Sequence, residues 1–109
     1  MIDWGDFEKV EIRTGTILNV ENFPEARKPA YKLTIDFGNL GIKRSSAQIT
    51  TRYTKEQLTG KQIVAVTNFP PKQIGPFISE CLVLGAVDEC GEVILLQTES
   101  NVKNGLRVA

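Results

Sequence analysis

The chain has 109 residues, which suits one domain, and its 41% apolar and 24% charged side chains exclude a disordered chain. It contains no histidine, which removes imidazole-based catalysis and the commonest metal ligand. The formal net charge is zero, yet residues 23–75 carry nine basic and three acidic side chains, so a +6 middle is balanced by −6 at the ends and a polyanion-binding face is not excluded. Beginning at Val10, apolar or β-branched residues recur at every second position (Val10, Ile12, Thr14, Thr16, Leu18, Val20), which predicts a long half-buried strand. Gly15 predicts a bulge or bend in its middle, and Phe23-Pro24 ends it. Tyr31, Leu33, Ile35 and Phe37 then alternate with polar residues, and a turn at Gly38–Gly41 before Ile42 predicts a hairpin. Thr54 as a cap, followed by helix formers and by Gly60 as a stop, predicts one short helix. Lys61–Asn68 reads as a strand apolar on both faces. Cys81–Val87 and Glu92–Gln97 read as two more, joined by a turn at Asp88–Gly91, and Asn104-Gly105 is a further turn signal.

Between these strands, Asn68–Ser79 combines three prolines with Phe69, Ile74, Phe77 and Ile78. It reads as a rigid loop with more apolar surface than a connector needs, either covering a barrel end or serving as a binding or dimer surface. Five or more short strands, one interposed helix and no βαβ rhythm predict an all-β domain spanning residues 1–109. A helix between the third and fourth long strands is the order of a five-stranded OB-fold barrel, here with extra terminal strands.

The chemistry expected of such a chain is binding. No nucleophile constellation or Gly-rich phosphate loop is present, so neither enzyme activity nor a cofactor nor a metal is expected. Cys81 and Cys90 form no CxxC pair and are expected as free thiols. The apolar runs reach strand length only, so no membrane insertion is expected. Met1–Asp6 lacks the pattern of a secretory signal, so the cytoplasm is the expected location.

Several segments, taken together and in order, resemble the tRNA-binding domain family and within it the CsaA proteins. They are Asp6–Ile17, Phe23–Arg27, Ser45–Thr50, Asn68–Ile74 and Ser79–Gly85. The resemblance implies an OB-fold homodimer that binds tRNA and also acts as a chaperone, binding unfolded polypeptides and preproteins in protein export, with SecA as a partner. It suggests Arg13, Arg44, Ser46, Asn68, Lys72 and Ser79 as RNA contacts, the cations for phosphates and the amide and hydroxyls for bases or riboses. Apolar pockets near Phe69, Ile74 and Phe77 are the expected grip on extended polypeptide. Where many tRNA-binding domains read Ser-x-Gly-Met, this chain has Ser79-Glu80-Cys81-Leu82, so no role resting on that Gly or Met carries over. A tRNA-binding protein as the main role is the alternative to the chaperone. The two differ in salt response, because phosphate contacts weaken steeply with salt and apolar contacts do not.

Overall fold

A computed structural model describes residues 1–109. In chain order the elements are α1 (Trp4–Glu8), β1 (Ile12–Asn22), β2 (Tyr31–Asp36), a 3-10 turn at Gly38–Leu40, β3 (Ile42–Ala47), α2 (Lys55–Leu58), β4 (Gln62–Val66), β5 (Lys72–Ile74), β6 (Phe77–Ser79), β7 (Leu82–Val83), β8 (Gly85–Val87) and β9 (Val93–Leu95). Five strands form an antiparallel sheet in the order β3-β2-β1-β4-β7. It curls until its outer strands meet: the Glu80 N–H donates to the Arg44 carbonyl at 2.7 Å, and the Ser45 hydroxyl donates to the Cys81 carbonyl at 3.0 Å. This is the five-stranded OB-type barrel that the strand pattern predicts.

β1 is long because it serves two partners in succession. Ile12–Thr16 pairs with β4, and Thr16–Asn22 pairs with β2. The simple alternation expected along it does not hold. Ile17 is fully buried while Leu18 is 45% exposed, and the register slips between Ile17 and Asn19, so the bulge falls at Leu18 and not at Gly15. An extra residue resets the two-residue period, which is why Val20 returns to the core. Gly15 has another reason to lack a side chain: a Cβ there would lie 2.8 Å from Ile35 and from the Phe37 ring.

The outer edge of the first half of β1, which β2 does not reach, is covered by the C-terminal segment. Thr14 N–H donates to Leu106 O, Gly105 N–H to Thr14 O and Val108 N–H to Ile12 O. The buried Thr14 hydroxyl donates to Lys103 O and accepts from Leu106 N–H. These bonds satisfy backbone groups that would otherwise form an open edge.

The expected helix forms with a full capping box. Thr54 Oγ1 accepts from Gln57 N–H, and Gln57 Oε1 accepts from Thr54 N–H. Its Leu58 is fully buried in the barrel core beside Ile17, Leu33, Ile35, Phe37 and Ile63. A second short helix, α1, was not expected. Asp3 and Asp6 make a capping box of aspartates at its start, and none of its residues is buried. The single strand expected over Cys81–Val87 is two strands. At Leu84 the N–H still donates to Val64 of β4 while the carbonyl already accepts from Leu96, so the chain changes partners there.

The core geometry separates two substitutions. Gly15→Ala is expected to cost about 1–3 kcal/mol, because the buried Ile35 and Phe37 cannot withdraw freely. Leu18→Ser should stay within about 0.5 kcal/mol. Urea unfolding midpoints of the two variants measure this difference, which a strictly alternating β1 would reverse.

Candidate functional site

The proline-rich segment expected as a loop is a hairpin. β5 and β6 pair Lys72 with Ser79, Gln73 with Ile78 and Ile74 with Phe77. Prolines fall outside its paired residues, so each ladder N–H remains available. Gly75, at φ +57, takes the left-handed turn position beside Pro76. Three prolines suggested a loop because they cannot donate to a ladder, but here they flank the short strands.

Phe77 fastens this hairpin to the barrel. It is buried with Phe23 and Ala30, and the two rings meet edge to face at 5.3 Å between centroids. The Arg44 guanidinium lies over the Phe77 ring at 4.8 Å from its centroid and pairs with Glu21 at 2.9 Å. Arg44 is therefore a cation held in place by a ring below and a carboxylate beside it. Its backbone N–H donates to Glu80 Oε1 at 2.9 Å.

A groove of about 280 Å³ runs between this hairpin and β3. Its floor is apolar, with Phe69, Ile74 and Leu82. Ser46, Gln48, Lys72, Ser79 and Glu80 supply its polar groups. Ser46 and Ser79 are tied across the seam, with the Ser46 N–H donating to Ser79 Oγ at 3.3 Å. Three of the six residues expected to contact RNA and two of the three expected to contact polypeptide thus line one groove, while Arg44 reaches its Glu80 through the backbone N–H only.

Three other candidates are engaged elsewhere. Arg13 pairs with Glu11 at 2.8 Å and donates to Gly105 O at 3.2 Å. The hydrogen bond from Arg13, ahead of the attraction of its charge, holds the Glu11 carboxyl below its ordinary pKa. Asn68 accepts from Glu11 N–H at 2.9 Å and donates to Lys9 O at 2.7 Å, pinning the chain that enters β1. Phe77 is 5% exposed and lies beneath Arg44, not on the groove. Sequence reasoning missed Gln48, Glu80 and Leu82. The spacing Ser46, Gln48 was a usable signal, since residues two apart on an extended chain share a face.

A second hollow, of about 530 Å³, lies between the turn from α2 to β4 and residues 97–101. It is lined by Gln57, Gln62, Gln97 and other polar residues without an apolar one. A binding site normally joins apolar area to a few polar groups, and the smaller groove fits that description better. No group of three His, Cys, Asp or Glu side chains stands where it could hold a metal ion. No helix is long and apolar enough to cross a membrane.

Beside the groove, Cys81 is buried, while Cys90 is exposed on the β8–β9 turn. Burial, reinforced by the Glu80 charge, pushes the Cys81 thiol up from an ordinary 9.0 to about 11. Because the folded value is the higher one, this group's contribution to stability is full below pH 9 and is lost as the pH rises through 11. A thiol-reactive dye at pH 8 should therefore label one cysteine quickly in the folded protein, Cys90, and the second only on unfolding.

Comparison with known proteins gives this geometry its relatives. Residues 12–107 match the family model described as a putative tRNA binding domain. Two solved structures match over the whole chain: chaperone CsaA from Bacillus anthracis str. Ames, 53% identical with a TM-score of 0.95 over 99% of that chain, and the CsaA chaperone protein from Picrophilus torridus, 54% identical with a TM-score of 0.94 over 100% of it. The chain belongs to the tRNA-binding domain family, in its CsaA group. A methionine–tRNA ligase from Methanococcoides burtonii is 34% identical over 105 residues, which are 96% of this chain but 15% of the ligase. The chain spans about 15% of the length of that curated relative.

Proposed function

We propose that this chain is a non-enzymatic RNA-binding protein whose ligand is tRNA, held at the face that joins β3 to the β5–β6 hairpin. The observation that carries this reading is the groove itself. Ser46, Lys72 and Ser79 line it, and the backbone N–H of Arg44, whose guanidinium lies over Phe77, donates to its Glu80, all within the residues that match the tRNA-binding family model. Arg44 and Lys72 neutralise phosphates, and the two serine hydroxyls reach riboses or bases. Replacing both cations, as Arg44→Gln with Lys72→Gln, is expected to flatten the dependence of log affinity on log salt by about 1.5 if each meets one phosphate. An unchanged slope in a folded double variant would contradict the reading.

A second reading is favoured by the CsaA neighbours, which are named as chaperones, and by the apolar floor of the same groove. In it the chain binds unfolded polypeptides and preproteins in the cytoplasm, with Phe69 and Ile74 gripping extended segments and Phe77 holding the hairpin beneath them. Export through a SecA partner would follow from that reading. Since both sets of residues border one groove, RNA and polypeptide should compete.

The same proposal takes the chain as a homodimer. A domain of this size has a modest core of its own. Around α1, Ile2, Trp4 and Phe7 enclose an apolar hollow of about 440 Å³ with Trp4 88% exposed, and a second copy is the partner that such a patch suits. Trp4 is the only tryptophan, so it reports on this directly. Its emission should shift to the blue as the protein passes from nanomolar to micromolar concentration, and Trp4→Glu should keep the mass near 12.1 kDa. A wild-type chain that scatters as a monomer throughout would overturn the dimer.

A further inference from the structure

The groove holds polar groups that phosphate contacts alone do not use. Gln48 and Lys72 line it and are exposed to solvent, so both can turn to a ligand. One Glu80 oxygen accepts the Arg44 N–H, while the other is left as an acceptor on the groove wall. Phe69, 49% exposed, lines the same groove. The volume of about 280 Å³ sits just below the roughly 300–1,000 Å³ of small-molecule sites, which is room for one ring system and not for a folded element.

Resting on the RNA-binding reading of this groove, we infer that it receives a single unpaired nucleobase bearing an exocyclic amino group, stacked on Phe69, with Glu80 as the residue that rejects uracil. A base inside a duplex has both faces covered by its neighbours and can offer neither to Phe69, so the ligand is unstacked. Lys72 takes the adjoining phosphate. An apolar peptide side chain could cover the floor but would leave the half-buried Glu80 carboxylate facing it with one oxygen unpaired, which is costly.

Discrimination among bases follows from the carboxylate. Ionised Glu80 can only accept hydrogen bonds, and cytosine presents its N4 amino group as a donor. Uracil places a carbonyl oxygen at the same position, and its one imide N–H is flanked by two such oxygens that face the negative charge. Glu80→Gln keeps a carbonyl for the Arg44 N–H and adds a donor, so it removes this preference while preserving the local fold.

The test uses the full chain with fluorescent oligocytidine and oligouridine of equal length, a blunt duplex, and whole tRNA measured in parallel. Oligocytidine should bind roughly 10-fold more tightly than oligouridine, and Glu80→Gln should bring the two together. Phe69→Leu, which keeps apolar area but loses the aromatic face, should weaken oligocytidine roughly 5- to 100-fold, and Phe69→Trp should restore it. If tRNA binds with a steep salt dependence but the two oligomers bind alike, or if Glu80→Gln leaves their ratio unchanged, the base-reading groove is wrong and the RNA-binding reading survives. The base-reading groove is equally wrong if the duplex binds as well as the single strand, or if an unfolded polypeptide occupies the groove and is indifferent to Phe69→Leu while RNA does not displace it. Failure of tRNA and oligomers alike to bind overturns both.

Discussion

The barrel closes along one seam, where the Glu80 N–H meets the Arg44 carbonyl and the Ser45 hydroxyl meets the Cys81 carbonyl. An open five-stranded sheet would leave the outer edges of β3 and β7 unpaired, and closure is the device that small barrels use to remove such edges. The seam also fixes the groove. It sets β3, which carries Arg44 and Ser46, against the stretch that carries Ser79 and Glu80. Phe77, buried against Phe23, holds the hairpin that forms the other wall. Loss of the seam would open the sheet and separate those two walls in one event.

Two features of the seam act on the ligand groups before any ligand arrives. Arg44 rests on the Phe77 ring and against Glu21, so part of the entropy of ordering a long side chain is already spent. Under the proposed function, an incoming phosphate competes with Glu21 for the guanidinium, which makes binding an exchange of anions and ties it to ionic strength. Cys81 contributes by staying neutral. A thiolate at the seam would add a negative charge beside Glu80, and burial disfavours it by pushing the thiol up from 9.0 to about 11.

Much of this architecture was legible in the residues. Thr54 and Gln57 announce α2, and the alternation of Tyr31, Leu33 and Ile35 announces β2, because each signal is local. The parts that the residues hide depend on contacts far along the chain. The bulge at Leu18 shifts the phase of β1 inside its ladder with β2, two residues past the last pair with β4, and nothing within residues 12–22 records it. The hairpin at Lys72–Ser79 exists because Phe77 finds Phe23, whereas locally its prolines argue for a loop. Among the candidate site residues, Ser46, Lys72 and Ser79 were legible through their place in the family pattern. Arg13 and Asn68 looked equivalent to them, and only the fold reveals that Gly105, Lys9 and Glu11 claim their hydrogen bonds. Glu80 was hidden because its partner, the Arg44 N–H, lies 36 residues away.

The most direct measurement is the map of backbone amide chemical shifts while tRNA is titrated into the isotope-labelled protein. Occupancy of the groove predicts changes concentrated at residues 44–48, 69–74 and 79–82, with the turn from α2 to β4 and residues 97–101 left unchanged. Changes confined to that second, polar hollow, with the β5–β6 hairpin silent, would contradict the account.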